Sequence, residues 1–297
     1  MNILIGTLVF NGYTGSEWYN YELIKGLLSM KNEKGKPINK VTLISNTHPQ
    51  TSLTGNLIKM GCKIINISKP HKISSDFDVV HFSHTPIGEY LLKQKSLKHA
   101  KFYTTIHSEI ISLENPVIDE RIRKYITIRP EISYKIIKDF GIDESKISLI
   151  YNPIDDTRFN LENVTDEGFV LFHGSLDYLR HDAILDCIEK SKNEGLRTIF
   201  VGRNDYPNKF NSELMPTCEF LTPRSDISDL VKKCTYTAGI LLGRSTIEGY
   251  FCGKKGLIYN VDDKGKILSS SYTIQSPLDK YKTENVVNQI YRIYQND

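Results

Sequence analysis

Two runs of alternating strand and helix pattern, separated by Asn152-Pro153, constrain the fold of this 297-residue chain more than any other feature. Ile3 to Val9 is a short apolar run, and Asn11-Gly12-Tyr13-Thr14-Gly15-Ser16 reads as a loop. Leu23, Ile24, Leu27 and Leu28 then recur at helical spacing, which predicts strand, glycine loop, helix. The alternation continues through strand Val41 to Ser45, a helix near Leu53 to Met60, strands Lys63 to Ile67 and Val79 to Phe82, a helix near Ile87 to Lys95 and strand Phe102 to Ile106. It restarts after Pro153 with strand Phe169 to Phe172, helix His181 to Asn193, strand Arg197 to Val201, a short strand near Glu219, helix Ile227 to Lys233 and strand Tyr236 to Leu242. A helix Ser245 to Cys252, a strand Gly256 to Tyr259 and a last helix from about Thr283 to Tyr294 follow.

Strands that alternate with helices make a parallel sheet covered on both faces. The expectation is therefore an α/β chain of two doubly wound, Rossmann-like domains, residues 1–153 and 154–282, with a final helix, 283–297, packing back on the first. Two such domains facing each other place a cleft at the carboxyl ends of their strands, where α/β sheets bind ligands. At 39% hydrophobic and 10% aromatic residues there is enough apolar material for two cores.

Other classes are excluded by what the chain lacks. No basic leader precedes the first apolar run, and no apolar run approaches the roughly 20 residues that cross a bilayer. The five cysteines are odd in number, scattered and never spaced CxxC, so neither a disulfide framework nor a zinc site is expected, and a reducing cytoplasm is. Residues 1–153 hold 20 Lys and Arg against 14 Asp and Glu, a net +6, and the remainder holds 18 against 21, a net −3. Clusters such as Lys31, Lys34, Lys36 and Lys40, Lys93, Lys95, Lys98 and Lys101, and Arg121, Arg123 and Lys124 could form the footprint of an anionic partner, and read equally as solvated surface lysines.

The segment richest in chemistry is Gly243-Arg244-Ser245-Thr246-Ile247-Glu248-Gly249-Tyr250-Phe251-Cys252-Gly253-Lys254, a loop and helix start directly after a strand. Exposed amides at that helix start, in Arg244, Ser245 and Thr246, suit a diphosphate. Glu248, one turn in, could accept two hydrogen bonds from ribose hydroxyls, or could simply favour the helix dipole. Gly12 and Gly15 would let the backbone approach a ligand, and are also ordinary turn residues. His107 ends a strand on the cleft side, where a neutral imidazole could orient a hydroxyl.

Taken in order, these segments resemble the retaining GT-B glycosyltransferases of family 4, over nearly the whole chain. Thr14-Gly15-Ser16-Glu17 is similar to their N-terminal glycine loop, Asp78-Val79-Val80-His81 to their strand entry and Thr105-Ile106-His107 to the strand that carries their active-site histidine. Tyr151-Asn152-Pro153-Ile154-Asp155 with Arg158-Phe159 resembles their interdomain turn, although Asn152-Pro153 also reads as a plain turn. Gly174 to Arg180 stands where they bind phosphate, and Glu248 matches the second of their paired glutamates. The chain departs from the pattern at Ile240, Ser175 and Lys255, where relatives carry glutamate, arginine and proline.

The resemblance implies transfer of a sugar from a nucleotide-diphosphate sugar, a UDP- or GDP-sugar, to an acceptor hydroxyl, with no metal and no other cofactor. His107, Arg180 and Glu248 would be catalytic, and Gly12, Gly15, Gly174, Ser175, Arg180, Arg244, Ser245, Thr246 and Glu248 would hold the donor. Arg180 aligns with the family's lysine, and Arg244 could supply what Ser175 does not; either could instead be a surface residue. The acceptor stays open between a glycan or membrane-associated lipid-linked glycan and a hydroxylated base in phage-type DNA, and so does the oligomeric state. A dinucleotide-dependent oxidoreductase is disfavoured because Asn11 to Gly15 lacks the G-x-G-x-x-G spacing. A sugar-nucleotide-binding protein without turnover is the remaining alternative. Asp76-Phe77-Asp78 resembles a metal-holding acidic pair but precedes its strand, at the wrong end of a sheet for a ligand site.

Overall fold

A computed structural model describes residues 1–12, 14–46, 52–69, 72–203, 218–224 and 226–296. The chain divides into two compact units, one built from described residues in 1–12, 16–153 and 280–296, the other from those in 14–15 and 154–279.

In the first unit, seven strands form one sheet: β1 Asn2–Gly6, β2 Lys40–Ser45, β3 Lys63–Asn66, β4 Val79–Ser83, β5 Lys101–Ile106, β6 Ile122–Thr127 and β7 Ile147–Leu149. Every pairing is parallel and the order is β3-β2-β1-β4-β5-β6-β7, with Ile3 of β1 between Val41 and Val79. Central strands buried on both faces need apolar residues throughout, and Ile3, Leu4, Ile5, Val79, Val80 and Phe82 provide them. Helices α1 Gly15–Ser29, α2 Ser52–Lys59, α3 Thr85–Leu92 and α4 Pro130–Phe140 accompany the sheet. Pro130 starts α4 where a missing N–H costs nothing, and Gly141 ends it in the left-handed conformation, φ 65.

The second unit has six strands, β8 Phe169–His173, β9 Arg197–Val201, β10 Cys218–Leu221, β11 Tyr236–Ile240, β12 Lys255–Val261 and β13 Ile267–Thr273, in the order β10-β9-β8-β11-β12-β13. All pairs are parallel except β12 with β13. Its described helices are α5 His181–Asn193, α6 Ile227–Lys233 and α7 Arg244–Phe251.

The last helix, α8 Thr283–Asn296, belongs to the first unit. Val286, Val287, Ile290 and Tyr294 recur on one face and are buried in the same core as Tyr19, Leu23, Ile24 and Leu27 of α1. The Tyr294 hydroxyl hydrogen-bonds His81 Nδ1 in β4, and His81 Nε2 lies 2.7 Å from Thr105 Oγ1 in β5, so a polar chain ties helix to sheet. All five cysteines are buried thiols. No described helix is long and apolar enough to cross a membrane.

Candidate active site

Each sheet reverses its strand order once, between β1 and β4 in the first unit and between β8 and β11 in the second. The crevice beyond the carboxyl ends of such neighbours is where doubly wound sheets hold ligands. The chemistry-bearing side chains gather at both places.

In the second unit, β8 ends at His173 and runs into the loop Gly174 to Arg180. That loop is laced to the next strand, since Gly174 N–H donates to Val201 O at 3.0 Å and Leu176 N–H to Arg203 O at 2.6 Å. Gly202 is needed for the approach, because a Cβ there would stand 1.6 Å from Gly174 O. Gly174 in turn leaves room for Arg180, whose Nε is 3.0 Å from where a Gly174 Cβ would be. Arg180 Nη1 donates to Asp177 Oδ2 at 2.5 Å, which holds the guanidinium over the loop. Ser175 is half-buried in the same loop.

Beside it, β11 leads through a tight turn into α7. Leu241 takes φ 54, its N–H donates to Tyr259 O at 2.7 Å, and Gly243 N–H donates to Leu241 O at 2.9 Å. A left-handed leucine is a strained choice of the kind concentrated at functional sites. Gly243 precedes α7 with no side chain capping the helix, so the first-turn amides, with half-buried Ser245 and buried Thr246, form an anion-favouring end. Glu248 is 3% exposed. Its Oε1 accepts from Arg244 Nε at 2.7 Å, while its Oε2 has no hydrogen-bond partner among the described residues and lies 4.0 Å from His173 Nδ1. Burial lowers the His173 pKa; Glu248 opposes the shift and Arg244 and Arg180 add to it.

In the first unit, the glycine loop is shaped by Glu17. Its Oε2 accepts from the N–H groups of Asn11 and Gly12, and Trp18 Nε1 donates to Gly12 O at 3.1 Å. Gly12 has φ 85, which a side chain would strain. Tyr13 lies outside the described residues, and Gly15 opens α1 at the surface.

His107 follows β5. Its Nε2 is 3.1 Å from Ser83 Oγ, its N–H donates to Glu114 Oε2 at 3.1 Å, and its ring meets Tyr19 edge-on at 4.8 Å. Glu114 also faces His84 Nε2 at 3.2 Å. Since Leu8 N–H donates to His84 Nδ1 at 3.3 Å, the hydrogen of a neutral His84 is on Nε2 and points at Glu114. Burial takes the His107 pKa down to about 4 despite the opposing Glu114 charge, so the imidazole is neutral near pH 7. Burial would raise Glu114, but His107 and His84 outweigh it and hold the carboxyl below its usual range.

Several residues singled out in the sequence have structural work instead. Asp78 Oδ2 accepts from Asn2 N–H at 2.7 Å at the amino end of the first sheet. Lys254 Nζ donates to Thr165 O at 2.6 Å, and Asp155 Oδ1 accepts from Thr157 N and Oγ1. Among the described residues no group of three or more His, Cys, Asp or Glu side chains is placed to hold a metal.

No protein-family model and no curated protein matches the chain. Solved structures do. Anabaena HepE in complex with UDP-glucose is similar over 99% of this chain and 91% of that one, with TM-score 0.68 and 14% identity. AviGT4, a glycosyltransferase involved in avilamycin A biosynthesis, is similar over 99% and 97%, with TM-score 0.67 and 14% identity. The fold is that of the GT-B glycosyltransferases. The alpha-glucosyltransferase AGT, in complex with UDP and a 13-mer DNA containing a central A:G mismatch, is similar over 87% and 79%, with TM-score 0.59 and 12% identity.

In this GT-B chain the second switch point brings together Gly174, Arg180, Arg244 and Glu248, which the sequence pointed to, and adds His173, which it did not. The first adds Glu114 and His84 to Gly12, Glu17 and His107. The one local cue for His173 is its place at a strand end directly before a loop glycine.

Proposed function

We propose that the chain is a cytoplasmic glycosyltransferase that moves a sugar from a UDP-sugar to an acceptor hydroxyl, with retention at the anomeric carbon and without a divalent ion. The observation that carries this reading is Glu248. It is a buried carboxylate one turn above an uncapped helix start, at the switch point of a GT-B sheet, with one oxygen held by Arg244 and the other without a partner among the described residues. That oxygen receives a ribose hydroxyl, and the α7 amides with Arg180 receive the diphosphate. Charge develops on the departing diphosphate, and fixed N–H groups with a guanidinium stabilise it where a metal otherwise would. Neutral His107, at the switch point of the first unit, is the residue proposed to orient a sugar hydroxyl. Retention follows from the resemblance to family 4, and the buried, unpaired cysteines support the cytoplasm.

The test is a mass-spectrometric screen of UDP- and GDP-sugars with excess EDTA. The expected result is slow release of UDP from one UDP-sugar. Binding without turnover of any donor would make the chain a sugar-nucleotide-binding protein, and no binding at all would reject the reading.

For the acceptor we favour a glycan or lipid-linked glycan. The likeness to AGT, together with the net +6 of residues 1–153, supports a second reading in which the acceptor is a modified base in duplex DNA. Neutralising about six to ten phosphates would make affinity for plain duplex fall by several powers of ten between low and physiological salt. Weak, salt-insensitive binding would reject that reading.

A further inference from the structure

His173 Nδ1 and Glu248 Oε2 are both buried polar atoms without a hydrogen-bond partner among the described residues, and they face each other at 4.0 Å. That separation is too long for a direct hydrogen bond. A single oxygen about 2.8 Å from each would lie within hydrogen-bond reach of both.

The chemistry of the two partners limits what that oxygen can be. Glu248 is acceptor-only when ionised, so the bridging group must donate to it. A phosphate or carbonyl oxygen cannot donate and would meet the carboxylate as a repelling neighbour. His173 is kept neutral by burial, with Arg244 and Arg180 also disfavouring its protonation. A neutral imidazole nitrogen gives or takes one hydrogen bond according to its tautomer. A hydroxyl satisfies both sides. The α7 helix start in the same unit favours an anion, so a sugar that carries both a hydroxyl and phosphate would suit the two features together.

Resting on the function proposed above, we infer that His173 is a specificity-determining residue that shares one ribose hydroxyl of the donor nucleotide with Glu248, so that the pair selects ribonucleotides over deoxyribonucleotides. A nucleotide lacking that hydroxyl leaves two buried polar atoms unpaired, and sites that read a hydroxyl in this way reject its absence strongly.

The test is calorimetric titration of the whole chain with UDP, 2′-deoxy-UDP and 3′-deoxy-UDP, using wild type, His173→Phe and His173→Gln. Wild type should bind UDP at least about tenfold more tightly than one of the two deoxy analogues. His173→Phe should lose most of that preference through weaker UDP binding, and His173→Gln, which keeps a polar atom near the gap, should retain part of it. If the phenylalanine variant does not fold, the glutamine variant carries the comparison through a reduced preference. UDP binding with the wild-type preference intact in the folded variants would overturn the inference and leave the proposed function standing. Absence of any uridine nucleotide binding by wild type would overturn both.

Discussion

Arg244 and Glu248 stand one turn apart on α7 with Nε and Oε1 at 2.7 Å, and both side chains are buried. The sequence offered Arg244 as a phosphate ligand; in the structure its Nε is engaged by Glu248. Its guanidinium fixes the rotamer of Glu248, which leaves Oε2 aimed toward His173.

Breaking this pair from its two sides should therefore give different results. Arg244→Ala leaves a carboxylate buried without its counter-charge and should destabilise the chain by about 3 to 5 kcal/mol in urea unfolding. Glu248→Gln keeps an acceptor for Arg244 and should stay folded, while UDP affinity falls roughly ten- to hundred-fold. A wild-type dissociation constant for Glu248→Gln would remove that residue from the site.

Gly202→Ala tests whether the loop after β8 is positioned by its neighbour. The added methyl would meet Gly174 O at 1.6 Å, so the loop must shift. Overpacking of this kind costs about 1 to 3 kcal/mol. Thermal melts should register that loss, and UDP titration should show weaker binding by the folded fraction. Unchanged binding would mean that the Gly174 carbonyl sits away from the diphosphate.

Arg180→Ala separates stability from catalysis. Its partner Asp177 is partly exposed, and such pairs contribute little to folding, so the melting temperature should barely move. Turnover of the UDP-sugar should drop by about a hundred-fold or more, with uridine binding nearly unchanged. A melted protein, or full activity, would mark Arg180 as structural.

The histidines of the first unit set an acid limit. Burial lowers His107 to about 4 and His81 to about 3, below the ordinary value of 6.5. The unfolded chain then binds more protons than the folded one between pH 6.5 and those values, so stability rises with pH across that window. Above pH 6.5 the full contribution is present, and below it stability should decline by a few kcal/mol in all. Urea unfolding at steps from pH 7.5 to 4 should show the decline, and His107→Gln should reduce its size. A flat profile would contradict the burial of neutral imidazoles.

The central strands could be read from the sequence because parallel strands covered on both faces must be apolar from end to end. One side of each sheet could not, although the opposite edges, β3 and β10, could. β6 carries Arg123 and Lys124, β7 is three residues long, and β13 has serine at three of its seven positions and is largely exposed. The site divides in the same way. Glu248 stood out because its place in a helix after a strand is a local pattern. Glu114 reaches back to the His107 amide and across to His84, a neighbour in space rather than in spacing, and nothing periodic announces such a contact.

The placement of α8 also sets an order of events during synthesis. The first unit holds the earliest residues, yet its core includes Val286, Val287 and Ile290, and the His81 ring is tied to Tyr294. Residues 1–153 therefore emerge from the ribosome with an apolar strip that nothing covers until the entire second unit has been made. The unit begun first is finished last. Cutting the chain ahead of residue 280 would leave the second unit's residues whole while exposing the interior of the first, so a fragment of residues 1–153 would aggregate unless α8 were supplied to it, as a fused segment or as a separate peptide.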